Sequence, residues 1–152
     1  MSNDGRIADP RLVNPVTCAF LGDSIYELLV REEILCRHQS LPPGKLHNLA
    51  VKMVCATAQA QALHDIEPLL TEQELTAYRR GRNVSSVTPP KHTDVAIYRT
   101  ATGFEALLGD LHLRGRDDRI RELFSEILRA SDERASDQTG EEHHEEYKPA
   151  SR

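Results

Sequence analysis

The sequence predicts an all-α protein, and three observations carry that prediction. No segment sustains apolar–polar alternation between turn signals, as a half-buried strand would. Apolar residues instead recur three and four apart through successive blocks of the chain. Helix punctuation also falls between those blocks: Pro15 at the front of one, Thr71 and Glu74 as a capping box before another, Gly115 after a third. A length of 152 residues, 39% hydrophobic and 28% charged, predicts one domain with enough chain for a real core.

Residues 1–15, with Pro10 and Pro15, read as an irregular lead-in. The first helix is expected from about Val16 to Arg37, with Phe20, Leu21, Ile25, Leu28 and Leu29 as its apolar surface. The Pro-Pro-Gly content of Gln39 to Gly44 makes a turn. Helical spacing resumes from Lys45 to Leu70, with a break near Lys52 to Cys55 dividing it in two, and its alanines allow close packing. The helix opened by Thr71 should end near Arg80. Thr93 is the expected N-cap of a long helix from about Asp94 to Leu113, whose apolar face is Val95, Ala101, Phe104, Leu107, Leu108 and Leu111. Arg116 to Ala130 forms the last helix of a fold expected to span residues 16–130.

Residues 131–152 read as an acidic, disordered tail. Between 132 and 152 seven acidic residues face three basic ones, so the tail holds −4 of the net charge of −5 and leaves the body near neutral. The overall charge therefore does not exclude a nucleic-acid partner. His143 and His144 belong to this solvated tail, and His47 and His64 carry no ligand spacing. Cys18, Cys36 and Cys55 have no zinc-type spacing and read as buried, reduced thiols. No run approaches the ~18 apolar residues of a membrane span, and residues 1–15 lack the apolar core of a signal peptide. The expected location is the cytoplasm, without a membrane partner.

Two stretches depart from ordinary core helices. In Phe20-Leu21-Gly22-Asp23 a glycine, about 1 kcal/mol worse than alanine in a helix, precedes a carboxylate among large apolar residues. In Phe104-Glu105-Ala106-Leu107-Leu108-Gly109 the combination returns, with Glu105 among apolar residues. An interior glycine marks close approach of another backbone. Crossing these two helices would bring Asp23 and Glu105 together. Between them, Arg79 to Lys91 is the most basic stretch, holding Arg79, Arg80, Arg82 and Lys91 without an acidic residue. Guanidinium forks suit phosphates, although a solvated loop behind helix-ending arginines has the same composition. Gly22-Asp23-Ser24 does not suit an esterase nucleophile, which needs a strand-to-helix turn this chain lacks.

In this order the two acidic motifs resemble those of the ribonuclease III endonuclease domain, over roughly residues 14–130. The short chain and the segment Arg79-Arg80-Gly81-Arg82-Asn83 are similar to its Mini-ribonuclease III branch. The resemblance implies a helical homodimer that cuts double-stranded RNA, leaving 5′-phosphate and 3′-hydroxyl ends. It implies Asp23 and Glu105 as the catalytic, metal-binding carboxylates, Mg2+ as cofactor with Mn2+ as a substitute, and precursors of large-subunit (23S) ribosomal RNA as substrate. Arg79, Arg80, Arg82 and Lys91 would contact the RNA. With no appended RNA-binding domain expected, the domain's own loops and its dimer would supply affinity. Two positions depart from the wider family: Ala19 stands where a Glu is usual, and Thr102 where an Asp is usual. Glu27 and Asp110 are the next carboxylates to consider, Asp110 being expected on an exposed face. A domain that grips RNA without cutting, or a helical dimerisation module, is the alternative.

Overall fold

The computed structural model describes residue 7, residues 9–86 and residues 88–142. These form six α-helices and two 3₁₀ turns, without a strand among the described residues: α1 (Pro15–Arg37), α2 (Pro43–Val54), α3 (Ala56–Ile66), α4 (Glu72–Arg82), α5 (Val95–Leu113) and α6 (Asp117–Glu142). The all-α expectation holds. Helix α5 is the centre, packed against α1, α3, α4 and α6.

Local chemistry sets most boundaries. Asn14 caps α1 by accepting from the Val16 amide at 2.8 Å, with Pro15 at the first helical position. Cys55 is extended and divides α2 from α3 where a break was expected; of the three cysteines only Cys18 is buried as expected, while Cys36 and Cys55 are exposed. Thr71 and Glu74 form the capping box reciprocally, at 2.9 and 3.2 Å.

Four boundaries differ from expectation. Helix α2 starts at Pro43, inside the expected turn, because proline tolerates the first helical position. Helix α4 continues to Arg82 and takes Gly81 into a helix–helix contact. Asp94, not Thr93, caps α5, accepting from the Ala96 and Ile97 amides at 2.8 and 3.2 Å. Helix α6 runs past Ala130 to Glu142. Composition marked that segment as tail, but long-range ion pairs hold it: Arg134 to Asp65 at 2.6 and 2.9 Å, and Arg37 to Asp132 at 3.0 and 3.1 Å. The readings of residues 1–6 and 8 as lead-in, and of 143–152 with His143 and His144 as tail, lie outside the described residues.

Phe104, Leu107, Val30, Leu63, Ile66 and Leu123 are fully buried, each worth about 1.5–3 kcal/mol of burial. The Tyr26 ring meets Phe104 and Phe124 edge-on, with centroids 5.0 and 6.0 Å apart. Glycines then set how closely the helices cross. A Cβ at Gly22 would overlap the Glu105 carbonyl, and one at Gly109 would overlap that of Cys18. The α1 and α5 backbones therefore touch at two points. Gly81 and Gly103 do the same for α4 and α5, against Ala106 and the Tyr78 ring. At the lower end, Arg119 ties α6 to α4 by reaching Glu74 at 2.8 and 3.1 Å and the Leu69 carbonyl at 2.8 Å.

Candidate active site

The contact of Gly22 with the Glu105 backbone puts the next residue of α1, Asp23, beside the Glu105 side chain. Both carboxylates line one cleft of about 270 Å³. Its α5 wall is the stripe Tyr98, Ala101, Thr102 and Glu105; Ala19 and Phe20 come from α1, and Ala56 and Gln59 from α3. Asp23 is exposed at the mouth, and Glu105 is half-buried.

Burial pushes the Glu105 carboxyl up to about 7, the Gln59 amide against it favours the charged form, and the charge of Asp23 raises it further. No cation lies within ion-pair distance of either carboxylate among the described residues. Two carboxylates held together without a counter-charge suit a hard divalent cation, which takes oxygen ligands. A buried amide oxygen also lines this wall without a partner: Gln59 Oε1. The residues present therefore fit a small divalent ion, with Asp23 and Glu105 as the groups able to hold it. Sequence reasoning missed Gln59 and Tyr98. Gln59 shares the buried stripe of α3 with Ala62, Leu63 and Ile66, and a glutamine on such a stripe is the signal that was available.

The two departures put no further carboxylate into the cleft. Ala19 is buried and has no donor atom, and the Thr102 hydroxyl donates to the Tyr98 carbonyl at 3.0 Å. Glu27 is paired with Arg31 at 2.8 Å, outside the cleft lining. Asp110 is not exposed as expected. It is 4% exposed and held by Arg114 at 2.6 and 3.1 Å, so it braces the C-terminal end of α5.

The basic residues separate into two kinds. Arg79 and Lys91 are exposed. Arg80 is half-buried and donates to the Val13 carbonyl at 3.2 Å, and Arg82 lies over the Tyr78 ring at 5.3 Å while donating to Asn83 at 3.1 Å. Gly81, among them, packs near the Thr102 carbonyl, so this segment starts beside the cleft wall.

Comparison with known proteins adds a family to this geometry. A model of the ribonuclease III domain matches residues 17–116. The Mini-ribonuclease 3 of Symbiobacterium thermophilum is 46% identical over 126 residues, covering 83% of this chain and 93% of the relative. That of Brevibacillus brevis is 40% identical over 128 residues, covering 84% and 95%. A crystal structure of a Fusobacterium nucleatum protein superposes with a TM-score of 0.70 at 25% identity, over 80% of this chain and 96% of the other.

Proposed function

The chain belongs to the ribonuclease III family and is an endoribonuclease, and from that premise we propose that it cuts double-stranded RNA with Mg2+ held by Asp23 and Glu105. The observation that carries this reading is their meeting in one cleft, forced by the glycine crossing of α1 and α5. A divalent ion there supplies activation of the attacking water and neutralisation of the leaving oxygen; Mn2+ would serve as a substitute. Asp23 at the mouth and Glu105 in its ionised form would hold the ion between α1 and α5. The carboxylates sit on two packed helices, so they are preorganised and cost little to align.

Exposed Arg79 and Lys91 supply phosphate contacts, positioning the duplex by shape with little base reading. Arg80 and Arg82 shape that segment from behind, Arg82 stacked on Tyr78 and within reach of the backbone of a bound duplex. The products are 5′-phosphate and 3′-hydroxyl ends, and the substrate is a paired region of a large-subunit (23S) ribosomal RNA precursor in the cytoplasm. The active form is a homodimer. Phe20 and Leu28, 80% and 58% exposed, run with Leu35 along one stripe of α1, with Val51 of α2 also exposed. A second copy covering that face would stand beside the cleft, since Phe20 lines both.

The test is cleavage of a long, perfectly paired RNA with Mg2+ or EDTA, comparing wild type with Asp23→Asn. Mg2+-dependent fragments from wild type alone support the reading. Equal cutting by both proteins removes Asp23 from the site, and binding without cutting returns the domain to a gripping role.

A further inference from the structure

Gln59 is 2% exposed, on a helix face otherwise made of Ala60, Ala62, Leu63 and Ile66. A leucine or methionine would fill that place without desolvating an amide. The amide oxygen has no hydrogen-bond partner, a costly arrangement in a folded interior. An amide can be turned about without changing its shape, so something must hold this orientation. Glu105 lines the same cleft, and the Gln59 side chain favours its charged form, as an amide nitrogen turned toward a carboxylate does; that orientation leaves the oxygen without a partner. Of its other neighbours in the lining, Ala19 and Ala101 have no side-chain donor, and the Thr102 hydroxyl donates to the Tyr98 carbonyl.

We propose that Gln59 is a positioning residue of this site, its buried amide nitrogen holding the Glu105 carboxylate toward Asp23 in the geometry that takes the metal. The inference rests on reading Asp23 and Glu105 as the metal-binding pair. Without that donor, the Glu105 side chain would be free to turn along the cleft wall, and the pair would no longer present its oxygens to one ion.

The experiment measures Mn2+ binding to the full-length protein by calorimetry, for wild type, Gln59→Leu and Gln59→Met. Duplex affinity in EDTA, melting temperature and the division of any activity loss between kcat and KM are measured alongside. Both variants remove the donor and keep the volume. Both should weaken Mn2+ binding by about tenfold or more, as loss of a partner behind a metal ligand does. The loss should fall on kcat, with KM and metal-free duplex affinity within about twofold of wild type, and metal-free Gln59→Leu melting no lower. If one of the two does not fold, the other gives the same measurement. Wild-type Mn2+ affinity in the leucine or methionine variant overturns the proposal. A fall in melting temperature and duplex affinity in step with metal affinity would reduce Gln59 to packing. If wild type itself binds no Mn2+, the carboxylate pair is misread; if only the Gln59 variants behave unexpectedly, the pair stands and this inference falls.

Discussion

Replacing Glu105 with Gln should stabilise the metal-free protein, and the gain should grow with pH. Burial, with the nearby charge of Asp23, lifts this carboxyl from an ordinary 4.5 to about 7 in spite of the Gln59 amide. Below about pH 4.5 the group is protonated folded and unfolded, and contributes no difference. From there to about 7 the folded protein retains a proton that the unfolded chain has released, so stability falls as pH rises. Above about 7 the loss is complete. Each tenfold in proton affinity is ~1.4 kcal/mol, which puts the full displacement on the order of 3 kcal/mol. Water reaches part of this half-buried side chain, and screening lowers the expectation to about 1–2 kcal/mol. Glutamine has the same shape and no charge to desolvate.

Urea unfolding of both proteins in EDTA, from about pH 4.5 to about pH 8.5, tests this, because titrations common to both cancel in the difference. The variant should gain less than about 0.5 kcal/mol at the acid end and about 1–2 kcal/mol above neutrality. Millimolar Mg2+ should then stabilise wild type selectively, since a ligand that binds only the folded state raises stability by mass action. A gain independent of pH, or a wild type that is the more stable protein in EDTA at pH 8, would refute the reasoning.

Gly22→Ala drives a methyl into the Glu105 carbonyl, a backbone atom that cannot swing aside; thermal or urea unfolding should show a loss of about 3 kcal/mol or more. Arg79→Gln with Lys91→Gln should weaken duplex binding in EDTA and lower the slope of log affinity against log salt by about 1 per lost phosphate contact. Arg80→Gln should instead lower stability by about 1 kcal/mol, as it removes the donor to Val13, with a smaller effect on that slope. Phe20→Glu places a charge on the exposed stripe of α1, and sedimentation should then show less of the proposed dimer than wild type does at the same concentration.

The helical order was legible because each boundary carries its own chemistry within a few residues. The Thr71–Glu74 box, Pro15 after Asn14 and the break at Cys55 all stand where local pattern puts them. What local pattern misreads is decided by distant partners. The segment after Ala130 is polar enough to pass for a tail, and Asp65 and Arg37, far back in the chain, supply charges that pair with it as helix. Asp110 reads as a surface residue until Arg114 folds over it. Thr93 and Asp94 are both capping residue types, and the choice between them rests on which backbone turns first.

The carboxylate pair was legible for a different reason. A glycine is a poor helix residue, and one next to a carboxylate in an apolar helix is tolerated only where something gains from it. Here Gly22 lets α1 lie against the carbonyl of the residue whose side chain is Glu105, so one missing methyl both sets the crossing and pairs the acids. Substituting Gly22 should therefore separate Asp23 from Glu105 as well as destabilise the core. Gln59 left no comparable mark. An amide in an alanine-rich helix resembles any solvent-facing glutamine until the stripe it shares with Ala62, Leu63 and Ile66 is known to be buried. Its role emerges only from the carboxylate it faces and the oxygen it leaves stranded.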